Sequence, residues 1–219
     1  MPKIIRHTIC DGLWIDLDFK NCHPCILRTL CQNNNIKCDL LAEYIDNRDK
    51  FHKEWSDILG IDIDEVKQNV FLPALNGNKT HFDLPNWYSI LEELKNIHIS
   101  IANLPQYSMI LEEVQSNESR NIFAKVVNRI MCEIENKCLQ SLYKTLDLRG
   151  LLNVEIDDYT YKCCSLIFDG LQIPLNEQTT TFCTPDNFKL LSNIVFNDTG
   201  YYLVIDRKHF DNKLHNTGI

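Results

Sequence analysis

Between Gly12 and Leu27 the hydrophobic period switches once, from two to about 3.6, and this switch constrains the fold more than any other stretch. Leu13, Ile15, Leu17 and Phe19 alternate with Trp14, Asp16 and Asp18, the pattern of a strand with one buried face. Asp16 and Asp18 then share the other face, roughly 6.5–7 Å apart along the strand. At Asn21 a helix is expected to begin, with Asn21 in the capping position and Pro24 in the first turn. Ile26, Leu27, Leu30 and Cys31 follow at helical spacing. An acid-bearing strand that runs straight into a helix N-terminus places carboxylates at the mouth of a sheet beside unpaired amides. Such carboxylates can hold Mg²⁺, and the amides with the helix dipole favour phosphate.

The middle of the chain reads as helical. Leu41, Tyr44, Ile45, Phe51, Trp55 and Ile58 keep one stripe until Gly60. Asp62 or Asp64 opens a further helix that Asn76-Gly77 closes, and Pro73 is expected to bend it or end it early. A loop at 77–85 precedes helices at about 86–103, 106–116 and 119–146. Strand chemistry then returns in Tyr159–Phe168, and Asp169-Gly170 is a two-residue hairpin signal followed by Leu171, Ile173 and Leu175. A helix from Thr184-Pro185-Asp186 to about Phe196 and a strand at 201–206 complete the order. This order predicts an α+β fold: one domain over 1–219, with an antiparallel sheet, helices on one side and a helical insertion at about 37–118.

Composition narrows the function classes. The 219 residues are 44% hydrophobic and 24% charged, ordinary for a globular chain. Lys plus Arg is 22 against 30 Asp plus Glu, a net charge of −8, which argues against a basic coat for nucleic acid. No secretory leader and no run of about 18 apolar residues is apparent, so an intracellular protein of a reducing compartment, cytoplasm or nucleus, with no membrane contact is expected. The ten cysteines are then expected as buried thiols. Cys22-x-x-Cys25 with Cys31 and Cys38 hints at zinc, but no second CxxC accompanies it and Cys163-Cys164 are adjacent.

Two acidic positions carry the sharpest chemical reading. If the hairpin at Asp169 pairs beside the first strand, Asp18 and Asp169 meet, and a carboxylate pair can hold two metals about 3.5–4 Å apart for in-line phosphoryl transfer. Asp16, on the same strand face, would help concentrate the cation. Lys67 and Arg48 are cationic candidates for a triphosphate. The bland readings stand beside these. Asp169-Gly170 alone is a turn, Lys67 and His23 are ordinary helix residues, and Arg48 can pair with Asp46 or Asp49.

The stretch Asp18-Phe-Lys-Asn-Cys-His-Pro-Cys-Ile-Leu27 resembles motif A of family B DNA polymerases, Asp-Phe-x-Ser-Leu-Tyr-Pro-Ser-Ile, with Asp18, Phe19, Pro24 and Ile26 matching outright. The downstream order, a long helix and then an acid-tipped hairpin at Leu166-Ile-Phe-Asp169-Gly170, resembles family A polymerases, and Asn21-x-His23-Pro24 after the aspartates resembles polymerase-like reading frames of large DNA viruses and mobile elements. The resemblance implies a palm fold and a nucleotidyltransferase that adds nucleotides to a primer 3′ end. It also implies Mg²⁺ (or Mn²⁺), nucleoside triphosphates, a primer–template, a virus-encoded origin and a second chain supplying a thumb. It makes Asp18 and Asp169 the metal ligands, with Asp16 beside them, and Lys67 a triphosphate ligand, with Arg48 a second cationic candidate. Asn21 and His23 become nucleotide contacts, His23 at the sugar-selecting position. Gly170 stands where motif C carries a second acid, and the spacing from Lys67 to Gly77 departs from motif B. These departures keep open an alternative, an inactive palm-like module that binds a replication partner or nucleic acid.

Overall fold

The computed structural model describes residues 3–78, 80–117, 120–167 and 169–210, with side chains from residue 5 onward. The chain is mixed α+β and its contacts divide it into two compact units. One comprises 1–22 with 135–219, and the other 23–134.

The first unit is built on a four-stranded antiparallel sheet. Strand β1 (Trp14–Phe19) is central, flanked by β5 (Gly170–Pro174) and β6 (Ile205–Lys208), and β4 (Ser165–Ile167) lies outside β5. The alternation read in the sequence sorts the faces from Ile15 onward, while Leu13 is exposed just ahead of β1. Ile15, Leu17 and Phe19 are buried with Leu171, Ile173 and Ile205. Helix α11 (Pro185–Thr199) is tied to this sheet because Ser192 Oγ accepts from the Ile205 amide at 3.1 Å. The C-terminal part of α9 (Ile122–Leu148) joins α11 through Ser141 Oγ, which donates to Asp198 at 2.7 Å. Residues in pairs across β1, β5 and β6 are 150 or more positions apart, so this sheet is stabilised by non-local burial.

Several boundaries differ from the sequence expectation. A short helix α1 (Lys3–Cys10) meets the acidic face of the sheet, where the Cys10 thiol donates to Gln172 Oε1 at 3.4 Å, so helical structure touches both faces rather than one. The expected single strand at 159–168 is two strands in different sheets. Its first half, β3 (Tyr159–Lys162), pairs with β2 (Asn153–Ile156), and only its second half is β4. Asp157 and Asp158 take φ of 48° and 66°, the left-handed pair that a tight hairpin turn demands. The last strand starts four residues later than expected, at Ile205. Helix α10 (Glu177–Phe182) was not anticipated; Asn176 caps it by accepting from the Thr179 amide.

The second unit is helical. It contains most of α2 (Cys22–Asn33), then α3 (Asp39–Asp46), α4 (Arg48–Leu59), α5 (Ile63–Val66), α6 (Leu72–Leu75), α7 (Trp87–Ala102), α8 (Ser108–Asn117) and the first half of α9. Its core is aromatic: Tyr44 stacks on Phe71 at 3.6 Å between centroids, and Trp55 meets Trp87 edge-on at 5.4 Å. Glu93 of α7 accepts from the amides of Leu40 and Leu41, satisfying two orphan donors at the start of α3. Pro73 does not end its helix. A π-helical segment, Lys67–Phe71, precedes it, with the Leu72 amide bonded to Lys67 O. The wider turn accommodates a residue that has no amide proton and whose ring crowds the carbonyl four positions back.

Candidate active site

The acidic face of the first unit is assembled by strand register. On β1, Asp16 lies opposite Gln172 of β5 and Lys208 of β6, and Asp18 lies opposite Gly170 and Asp206. Directly opposed residues in an antiparallel pair project to the same face, so the carboxylates, the amide and the ammonium converge.

Asp169 joins them from the end of the β4–β5 hairpin. Its carbonyl accepts from the Phe19 amide at 3.0 Å, which fixes the hairpin against the end of β1. Its carboxyl hydrogen-bonds that of Asp18, and partial burial together with the Asp18 charge lifts the Asp169 pKa to about 6. Asp169 therefore keeps its proton below that range. Asp16 is only 6% exposed, and burial raises its pKa. Lys208 opposes that rise and the Asp18 charge adds to it.

Lys208 is the counter-charge of the cluster. Its Nζ donates to Asp18 Oδ2 at 2.9 Å. Partial desolvation would lower its pKa, but the bond to Asp18 and the charges of Asp18, Asp169 and Asp16 outweigh that and hold it raised. At the rim, Lys20 pairs with Asp206 at 2.6 Å.

Gly170 is explained by close approach. The Ile167–Gly170 register puts it inside β5 rather than in the turn expected from Asp169-Gly170. A Cβ there would sit 2.3 Å from Leu17 O and 3.1 Å from Asp18 Oδ1. The backbone of β5 passes too near Asp18 for any side chain, so a second acid at this position has no room.

The remaining sequence candidates divide between the units. Asn21 follows β1 with φ of 53°, a left-handed conformation that Asn tolerates well, just before α2. His23 is half-buried in the first turn of α2 and belongs to the second unit. Arg48 and Lys67 are in that unit too, and both act on His52. Tyr44 Oη and His52 Nε2 are 2.8 Å apart, and the Arg48 guanidinium also reaches the Tyr44 hydroxyl. Burial, reinforced by the Arg48 and Lys67 charges, lowers His52 to about 4. Arg48 therefore does not take Asp46, which pairs with Arg28 at 2.7 Å. All ten cysteines are thiols, with Cys10, Cys22, Cys31, Cys38 and Cys138 buried.

Sequence reasoning missed Lys208 and Gln172. Their only signal was alternation: Lys208 is two positions from Asp206, and Gln172 two from Gly170. Without the register, nothing places either opposite Asp16.

The comparisons with known proteins are sparse. No family model matches the chain. A Sputnik virophage protein described as "Putative helicase V13" is 21% identical over 226 residues, an alignment that takes in 97% of this chain. The chain spans 27% of that relative's length. Among the described residues no helix is long and apolar enough to cross a membrane.

Proposed function

We propose that the first unit is a palm-like nucleotidyltransferase domain that extends a primer 3′ end on a nucleic-acid template, with Asp18 and Asp169 as its metal ligands. The observation that carries this reading is the contact of the two carboxyls, brought together from β1 and from a hairpin some 150 residues later. The order of elements and the motif A resemblance at Asp18–Leu27 agree with it. A viral relative described as a helicase is consistent with a replication setting.

The donor set suits Mg²⁺ or Mn²⁺. It is three hard carboxylates, Asp16, Asp18 and Asp169; burial disfavours the charge on Asp16 and Asp169, and at Asp169 the Asp18 charge adds more than Lys208 offsets. Bound there, such ions would activate the attacking hydroxyl and stabilise the pyrophosphate leaving group. The chain's own residues set the conditions. Asp169 must release its proton, and Asp18 must loosen its bond to Lys208.

Lys208 favours a second reading. Its ammonium already neutralises Asp18, as in a palm-like module that binds a partner without chemistry. Primer extension with Mg²⁺ or Mn²⁺ separates the two. The enzyme reading expects incorporation by the full chain, abolished in Asp18→Asn with folding intact. Absence of incorporation on DNA and RNA primer–templates, together with no Mn²⁺ binding, would leave the module.

A further inference from the structure

The β2–β3 hairpin of the first unit presents an apolar face that the proposed chemistry does not use. Val154 lies opposite Tyr161 and Ile156 opposite Tyr159, so these four side chains share one face. Asn153, Glu155, Thr160 and Lys162 form the other. The polar face is already bonded: the Thr160 hydroxyl donates to Glu155 at 2.7 Å, and Lys162 reaches back to Asp147 of α9 at 2.7 Å. The apolar face is bare. Ile156 is 51% exposed, Tyr159 68% and Tyr161 49%. Large apolar side chains left side by side in water mark an interaction surface, where scattered ones do not.

The hairpin also has an open edge. Among the described residues it is a sheet of two strands, which is marginal in water and gains from a third. The Cys163 amide donates to Leu152 O at 2.7 Å at the base of the ladder. Antiparallel alternation then makes Val154–Tyr161 and Ile156–Tyr159 the hydrogen-bonded pairs and turns the backbone N–H and C=O of Thr160 and Lys162 away from β2. On β2 the outward Asn153 amide already donates to Gly150 O at 3.2 Å, which leaves β3 the freer edge.

Charge selects the occupant. Glu155, Asp157 and Asp158 surround the tip, and Lys162, the only cation in 153–162, is neutralised by Asp147. Tyrosines can stack on bases, but these acids repel a phosphate backbone. A second copy would bring the same acidic tip and a net charge of −8. We propose that β3 takes up an extended peptide in which apolar and basic side chains alternate. Its backbone would bond that of Thr160 and Lys162, and its apolar side chains would cover Tyr159 and Tyr161. Its basic side chains would meet Glu155 on the polar face and the acids at the tip.

Two end-capped octapeptides, Lys-Val repeated four times and Glu-Val repeated four times, test this against the nitrogen-15-labelled full chain. The basic peptide should move the Thr160 and Lys162 amides, slow their hydrogen exchange and bind at least about tenfold tighter than the acidic one. Asp157→Asn with Asp158→Asn removes charge but keeps the turn, because Asn tolerates the φ of 48° and 66° found there. Affinity for the basic peptide should then fall about fivefold at low salt. Tyr159→Ser with Tyr161→Ser should abolish the response. Equal binding of the two peptides, no response to the basic one at millimolar concentration, or unchanged affinity in the Asn pair would overturn the proposal. So would oligothymidylate shifting the Tyr159 and Tyr161 signals, which gives the face to nucleic acid. A dimer in sedimentation that the Ser pair dissolves would overturn it too, giving the face to a second copy.

Discussion

Replacing Asp169 with Asn should make the acidic sheet more stable at neutral pH while removing its capacity for metal. Burial and the Asp18 charge raise the Asp169 pKa from 3.8 to about 6. A raised carboxyl contributes stability that is fully present below pH 3.8, where both folded and unfolded forms are protonated. It is lost as pH rises through about 6. The shift is about two units, and at about 1.4 kcal/mol per unit the ionised group costs the folded state up to about 3 kcal/mol at pH 7.5. Asn keeps the shape and can still donate to Asp18, but carries no charge. Hydrogen exchange of the β1 and β5 amides reads this locally. Exchange in Asp169→Asn should slow by up to about 100-fold at pH 7.5 and change little at pH 4. Millimolar Mg²⁺ should slow exchange in the wild type at pH 7.5 and leave the variant unaffected. Exchange at pH 7.5 that is unchanged or faster in the variant would refute the coupled-pair reasoning. So would an equal effect at both pH values.

Gly170→Ala should destabilise the sheet by at least about 2 kcal/mol in urea unfolding, because the new methyl meets the Leu17 carbonyl, backbone that cannot move aside. Lys208→Met removes the charge that holds the Asp16 and Asp169 pKa values down. Both should rise further, read by carboxyl carbon-13 titration, with a stability loss at pH 7.5 that fades by pH 4. Tyr44→Phe strips the hydroxyl from His52 Nε2 and should cost the helical unit about 1–2 kcal/mol, measured by thermal unfolding near neutral pH.

What was legible locally was largely correct. The period-two run at 13–19 is β1, the stripe from Leu41 to Ile58 is α3 and α4, and the long apolar stripe after Asn121 is α9. Errors fell where a local signal competed with a distant one. Tyr159–Phe168 looks continuous because β-branched and aromatic residues fill it. The Asp157-Asp158 turn instead draws its first half into a separate hairpin. Asp169-Gly170 looks like the turn itself, yet the pairing of Gly170 with Asp18 pulls the glycine into the strand. Pro73 looks like a helix end, but a π-turn absorbs it.

The candidate site divides along the same line. Asp16 and Asp18 share a face because the strand period is two, and Asp169 lies in the turn between β4 and β5 because its neighbours make a hairpin; both follow from near neighbours in sequence. The partnership of Asp18 with Asp169, the ammonium of Lys208 set against them, and the glycine required at 170 do not. Each depends on the register between strands some 150 or more residues apart, which is fixed by how Ile15, Leu17, Leu171, Ile173 and Ile205 bury one common face. Slipping a strand by one residue would turn its whole apolar set to solvent, so packing selects the register, and the register selects which charges meet.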